Sequence, residues 1–183
     1  NTTGGDARAV YFNGVSFGTV YRSRLESYNL SGAVCTLTIA SSDYGNYTDS
    51  TIFSLNACTV GISGTSQANT FVRNNITMSG STSGSALDDA SLLFTSGSGN
   101  NTFIENNITS SLSGIIFRQP GVNNTFIGGV ISTNASGGST HSAIKTATTS
   151  NIEAHFINVT VNLTRSDINT TLINYRGDGN EVL

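Results

Sequence analysis

The chain has no tryptophan, one proline, one methionine and one lysine, and only 10% of its 183 residues are charged. Chains that stay disordered by self-repulsion combine high net charge with few apolar residues. Here the formal net charge is −3 and 37% of the residues are hydrophobic, so that class is excluded. The lysine and seven arginines are spread along the sequence, which leaves no basic patch to hold nucleic acid. No apolar run approaches the roughly 18 residues of a membrane-spanning helix. Helices in general are disfavoured, because β-branched residues and glycine dominate and no long 3.6-residue stripe exists.

What is present is equally one-sided. Ser, Thr, Asn and Gly make up half of the chain, which is long enough for one domain, 1–183, with a sizeable core. It begins NTTGG, which points to a processed mature end. Asn-x-Ser/Thr sequons occur at Asn1, Asn29, Asn46, Asn75, Asn100, Asn107, Asn123, Asn134, Asn158, Asn162 and Asn169. Chance would give about six in this composition, so the excess points to covalent N-glycans and to a secreted or cell-surface protein.

One segment recurs: NTFVRNNIT at 69–77, NTFIENNIT at 101–109, NTFIGGVIS at 124–132 and AHFINVTV at 154–161. Phe71, Phe103, Phe126 and Phe156 then form an aromatic column. Val72, Ile104, Ile127 and Ile157 form a second column, and Ile76, Ile108, Ile131 and Val161 a third. A second strand recurs at 33–40, 57–63, 91–96, 114–119, 142–147 and 171–176. The copies predict about seven stacked coils, each with two clear strands and a short third one. They are clearest over 56–183 and loosest over 1–55.

Residues two apart on a strand share a face. Val72, Asn74 and Ile76 are therefore expected to point into the core, like Ile104, Asn106 and Ile108, with Asn75 and Asn107 outside. Asn74 over Asn106 is a candidate internal amide ladder that stops at Gly129. A β-sandwich is the rival fold; it predicts alternation but not matching columns.

The repeat resembles the right-handed, pectate-lyase-like parallel β-helix family, in the short form N-x-(I/V)-x-x-N-x-(I/V) found in secreted and surface proteins. That resemblance implies the right-handed coil. It implies little about activity, since the fold hosts both enzymes and inert scaffolds. Cys35 and Cys58 lie in matching contexts, VCTLTI and ACTVGI, and are expected in the core of adjacent coils. Strand spacing permits a disulfide worth about 3 kcal/mol, the alternative being two stacked free thiols.

Enzymes of this fold include pectate lyases, polygalacturonases and tailspike glycosidases, which need paired carboxylates or an acid cluster holding calcium. The acids here are scattered, and only Asp88 and Asp89 are adjacent. His141 and Lys145 faintly resemble polygalacturonase elements but lack the surrounding glycines and arginine. Asp43 and Asp49 lack EF-hand spacing, and His155 with His141 does not make a metal site. No cofactor, metal or catalytic residue is assigned.

The expectation is a structural subunit of an extracellular glycosylated filament or surface layer, polymerising with itself by end-to-end stacking or strand exchange. NEVL at the C-terminus begins another copy of the repeat, which makes Val182 and Leu183 the expected assembly end. The composition is similar in style to archaeal filament subunits. The alternatives are a domain that binds or cleaves extracellular polysaccharide, and a monomeric adhesin domain.

Overall fold

The structure is a computed structural model that describes residues 2–3, 8–28, 34–56, 58–80, 89–119, 121–134, 142–147, 152–163 and 171–174. Among them there is no helix, and every named strand pairing is parallel. The first windings comprise β1 (Thr2–Thr3), β2 (Val10–Asn13), β3 (Thr19–Tyr21), β4 (Arg24–Tyr28), β5 (Leu37–Ala40), β6 (Asn46–Thr48) and β7 (Thr51–Leu55). The middle ones comprise β8 (Val60–Ser63), β9 (Thr70–Val72), β10 (Asn75–Ser79), β11 (Ala90–Phe94), β12 (Thr102–Ile104) and β13 (Asn107–Ser110). The last comprise β14 (Ser113–Phe117), β15 (Gly121–Ile127), β16 (Val130–Thr133), β17 (Ser142–Thr146), β18 (Ile152–Ile157), β19 (Thr160–Leu163) and β20 (Thr171–Asn174).

Every third strand belongs to the same sheet. Sheet A runs β1-β4-β7-β10-β13-β16-β19, sheet B runs β2-β5-β8-β11-β14-β17-β20, and sheet C runs β3-β6-β9-β12-β15-β18. The chain is thus an all-β parallel β-solenoid of three sheets. The six strands of sheet C are separated by five full turns, so the solenoid has about five turns rather than seven. The larger number counts the partial windings at both ends, which add β1 to sheet A and β20 to sheet B.

The recurring nine-residue segment is a corner, not one strand. Thr70–Val72 lies in sheet C and Asn75–Ser79 in sheet A, and Arg73 between them has φ 51°. The same left-handed corner recurs at Arg22 (44°), Asp49 (52°), Glu105 (52°), Gly128 (61°) and Asn158 (54°). A residue there does not continue the pleat, so alternation slips by one position across it. Phe71, Asn74 and Ile76 consequently face inward, and Val72 does not.

This corrects the expected second core column. Val72 and Ile104 are half-buried, while Ile127 is 37% and Ile157 47% exposed. The column pairs in register but on the outer face of sheet C. The interior belongs to the aromatics. Tyr47, Phe71, Phe103, Phe126 and Phe156 stack with ring centroids 4.6, 4.6, 4.7 and 4.8 Å apart. Phe94 and Phe117 form a second stack at 4.8 Å and meet the first edge-on. Ile76, Ile108 and Ile131 are buried beneath them in sheet A, and Val161 packs partly buried against the same core.

Candidate functional site

The interior corners are held by asparagine. In the first ladder, the Asn69 backbone N–H and side-chain Nδ2 both donate to Asn101 Oδ1, at 3.1 and 3.0 Å. Asn101 repeats the pair toward Asn124 Oδ1, at 3.2 and 3.0 Å. Each Nδ2 also donates to a carbonyl of the preceding coil, Ser42, Ser66 or Ser98. In the second ladder, Asn74 N and Nδ2 donate to Asn106 Oδ1 at 2.9 and 3.0 Å, and Ser50 N donates to Asn74 Oδ1 at 3.0 Å. It ends at Gly129 (φ 80°), where an added Cβ would collide with the backbone of Asn106. All five ladder residues are buried, and their amides are used on both sides.

The first ladder escaped the sequence reading. Its signal was the asparagine that precedes each Thr-Phe, three times over. Hydroxyls play a similar part at the corner between sheets A and B, where Ser27 meets Thr36 at 2.5 Å and Ser54 meets Thr59 at 2.8 Å.

The sequon asparagines lie elsewhere. Asn46, Asn75, Asn100, Asn107, Asn123, Asn134, Asn158 and Asn162 are all exposed, whereas none of the five ladder asparagines begins a sequon. Asn29 and Asn169, like Asn1, Asp88, His141, Val182 and Leu183, lie outside the described residues.

Cys35 and Cys58 form a disulfide with Cα atoms 4.3 Å apart. It does not enter the main core. The cysteines pack with Ala90, Leu93 and Ile116, a cluster separate from the one holding Leu37, Ile39, Val60 and Ile62. The reason is local: Thr36 and Thr59 turn inward and donate to the carbonyls of Phe53 and Thr77. That places each preceding cysteine on the outer side.

A groove of about 280 Å³ opens on this outer face of sheet B. It crosses β2, β5, β8 and β11, with Arg8 and Tyr11 near one end and Arg118 near the other. Thr38, Ser63 and Thr95 add hydroxyls, and the Arg8 guanidinium sits 4.5 Å over the Tyr11 ring, a cation–π contact that holds it in place. The carbohydrate-cleaving enzymes of this fold need paired carboxylates or an acid cluster, and no described carboxylate lines this groove.

The remaining candidates have structural partners. Asp43 Oδ1 accepts from the Gln67 backbone N–H at 2.7 Å, capping a turn. Asp49 receives Arg73 through two bonds, 2.8 and 3.1 Å, which hold its carboxyl below the ordinary value. His155 meets Glu153 at 3.0 Å on the outer side of β18. Lys145 is buried in β17, in register with Ile116, and Asp89 is buried just before β11. Burial alone pushes the Tyr47 phenol far above its usual range. Among the described residues, no cluster of three or more His, Cys, Asp or Glu can hold a metal ion, and no helix is long and apolar enough to cross a membrane. Comparison with known proteins found no matching family model, curated protein or solved structure.

Proposed function

We propose that this protein is a structural subunit of an extracellular assembly, polymerising by end-to-end stacking of its solenoid and coated by N-glycans on its exposed sequons. The observation that carries the reading is that every strand pairing in all three sheets is parallel, in one repeating strand order. Among the described strands, β2 and β3 edge sheets B and C at one end, and β20 and β18 edge them at the other. Parallel edges have direction, so the lower edge of one copy matches the upper edge of the next and not itself. Such a contact is heterologous, and heterologous contacts that do not close a ring give filaments. The aromatic column supports the same geometry: Phe156 is only partly buried at its last described rung, and the partly buried Phe12 packs on the core at the other end. Export is supported by the disulfide, which persists in oxidising compartments. Negative-stain electron microscopy and sedimentation of the concentrated protein test the reading. Concentration-dependent filaments with one solenoid per repeat are expected; monodisperse particles at all concentrations would sink it.

A second reading rests on the groove over the disulfide. Two arginines, hydroxyls and an anchored tyrosine suit an acidic polysaccharide held along the solenoid axis, bound and not cleaved. Arg8→Ala should weaken retention on an acidic polysaccharide column, while Arg24→Ala, remote from the groove, should not.

A further inference from the structure

Four of the exposed sequons stand in two pairs on adjacent rungs. Asn75 and Asn107 are direct partners across β10 and β13, and Asn107 Nδ2 lies 3.5 Å from Asn75 Oδ1. Asn100 and Asn123 occupy the same left-handed corner (φ 54° and 57°) one coil apart, and Asn100 N donates to the carbonyl of Val122. Resting on the reading that the sequons carry sugar, we propose that each stacked pair accepts one glycan per folded molecule, so that the two sites of a pair compete.

The chemistry sets the geometry. Transfer joins the anomeric carbon of a sugar to Asn Nδ2. The donor is a lipid-linked oligosaccharide phosphate supplied by the exporting cell; its carbon–oxygen bond to phosphate breaks, the lipid phosphate leaves with the electron pair, and Nδ2 gives up one proton. The first ring is therefore rooted directly on Nδ2. Rungs of a sheet are about 4.8 Å apart, less than the breadth of a pyranose with its equatorial substituents and the branches that follow. Neither root can shift sideways, because Asn75 and Asn107 are fixed in register by the backbone ladder on either side of them. Two outward chains rooted on neighbouring rungs therefore crowd each other at their roots, on the strand face of Asn75 and Asn107 and at the corner of Asn100 and Asn123 alike.

The pairs also differ internally. Asn75 Oδ1 is the acceptor of the Asn107 bond, so a sugar on Asn75 Nδ2 leaves that contact intact, whereas a sugar on Asn107 replaces one of the two hydrogens on the nitrogen that makes it and crowds the contact. In the second pair, the Asn123 amide nitrogen, turned toward Glu153, donates to both carboxylate oxygens at 2.9 and 3.0 Å. Asn75 and Asn100 are thus the favoured members. Asn46 and Asn162 face Thr70 and Ser132 across their strands, not another sequon, and titrate the same machinery without the conflict.

The test is glycopeptide mapping and intact-mass analysis of the full chain secreted from an N-glycosylating host. Molecules carrying sugar on both Asn75 and Asn107 should fall about tenfold below the product of the single occupancies, as coupled sites do and independent ones do not. Joint occupancy of Asn46 and Asn162 should equal its product. Asn75→Gln should raise occupancy at Asn107, and Asn100→Gln at Asn123. Joint occupancy of either pair at the product of the singles overturns the competition. Sugar on none of the sequons overturns the glycoprotein reading itself, a separate and recognisable result.

Discussion

An asparagine in this solenoid meets one of two fates, set by the face of the strand it occupies. With a two-residue period, a buried asparagine has a buried residue two positions on. Asn69, Asn74, Asn101, Asn106 and Asn124 are followed in this way by Phe71, Ile76, Phe103, Ile108 and Phe126, all core residues, so none can begin a sequon. An exposed asparagine such as Asn46 or Asn75 is followed at the same distance by Thr48 or Thr77 on the outer face. Asn101→Ala would remove the acceptor of two Asn69 donors and the side-chain donor to Asn124, leaving only the backbone N–H to reach Asn124 Oδ1. Leaving such buried groups unmet should cost about 3 kcal/mol in urea denaturation. Asp49 provides a pH test. Its ordinary pKa is 3.8 and Arg73 holds it lower in the fold, so the stabilisation is full above the ordinary value and is lost as pH falls through the folded one. Asp49→Asn should therefore melt slightly below the parent at neutral pH, the gap closing in acid and, since both groups are exposed, in high salt. A gap that widens toward acid would reverse the assigned sign.

Between elements, the corner from sheet C to sheet A decides which side chains enter the core. Two substitutions in adjacent positions read it out. Phe103→Ala opens a hole in the middle of the aromatic stack and should cost about 4 kcal/mol. Ile104→Ala, on the outer face of the same strand, should cost about 1 kcal/mol or less. Equal losses in denaturation midpoint would mean the corner does not shift the alternation. Gly129 marks where the amide ladder gives way to bare backbone. Its φ of 80° and its approach to Asn106 exclude a side chain, so Gly129→Ala should cost about 2 kcal/mol by the same measurement.

At the scale of the molecule, each coil contacts only its neighbours, so stability is a sum of coil-to-coil terms. The Cys35–Cys58 disulfide joins the windings of β5 and β8. Replacing both cysteines by serine should lower stability by about 3 kcal/mol on a loop-closure estimate. Hydrogen exchange should place the loss in β2 to β8, with β12 to β16 little changed; uniform loss would mean the coils unfold as one unit.

Periodicity in the sequence was enough for the solenoid, because coils stacked in register demand like residues at like positions. Phe71, Phe103, Phe126 and Phe156 can be aligned by eye, and Asn74 over Asn106 follows from the same alignment. The phase of the alternation was not legible. Period-two alternation along a continuous strand places Val72 and Ile104 inward with Asn74 and Asn106, and Cys35 and Cys58 inward with Leu37, Ile39, Val60 and Ile62. A single left-handed or inward-turned residue reverses every face after it, and no local preference of Arg73 or Glu105 announces that conformation. The groove, likewise, gathers Arg8, Tyr11 and Arg118 from windings more than a hundred residues apart. The sequence by itself determined the repeat, its columns and the sorting of asparagines between sequon and non-sequon. Only the closing of each coil into three sheets decided where the corners fall, and with them which face of every strand is the inside.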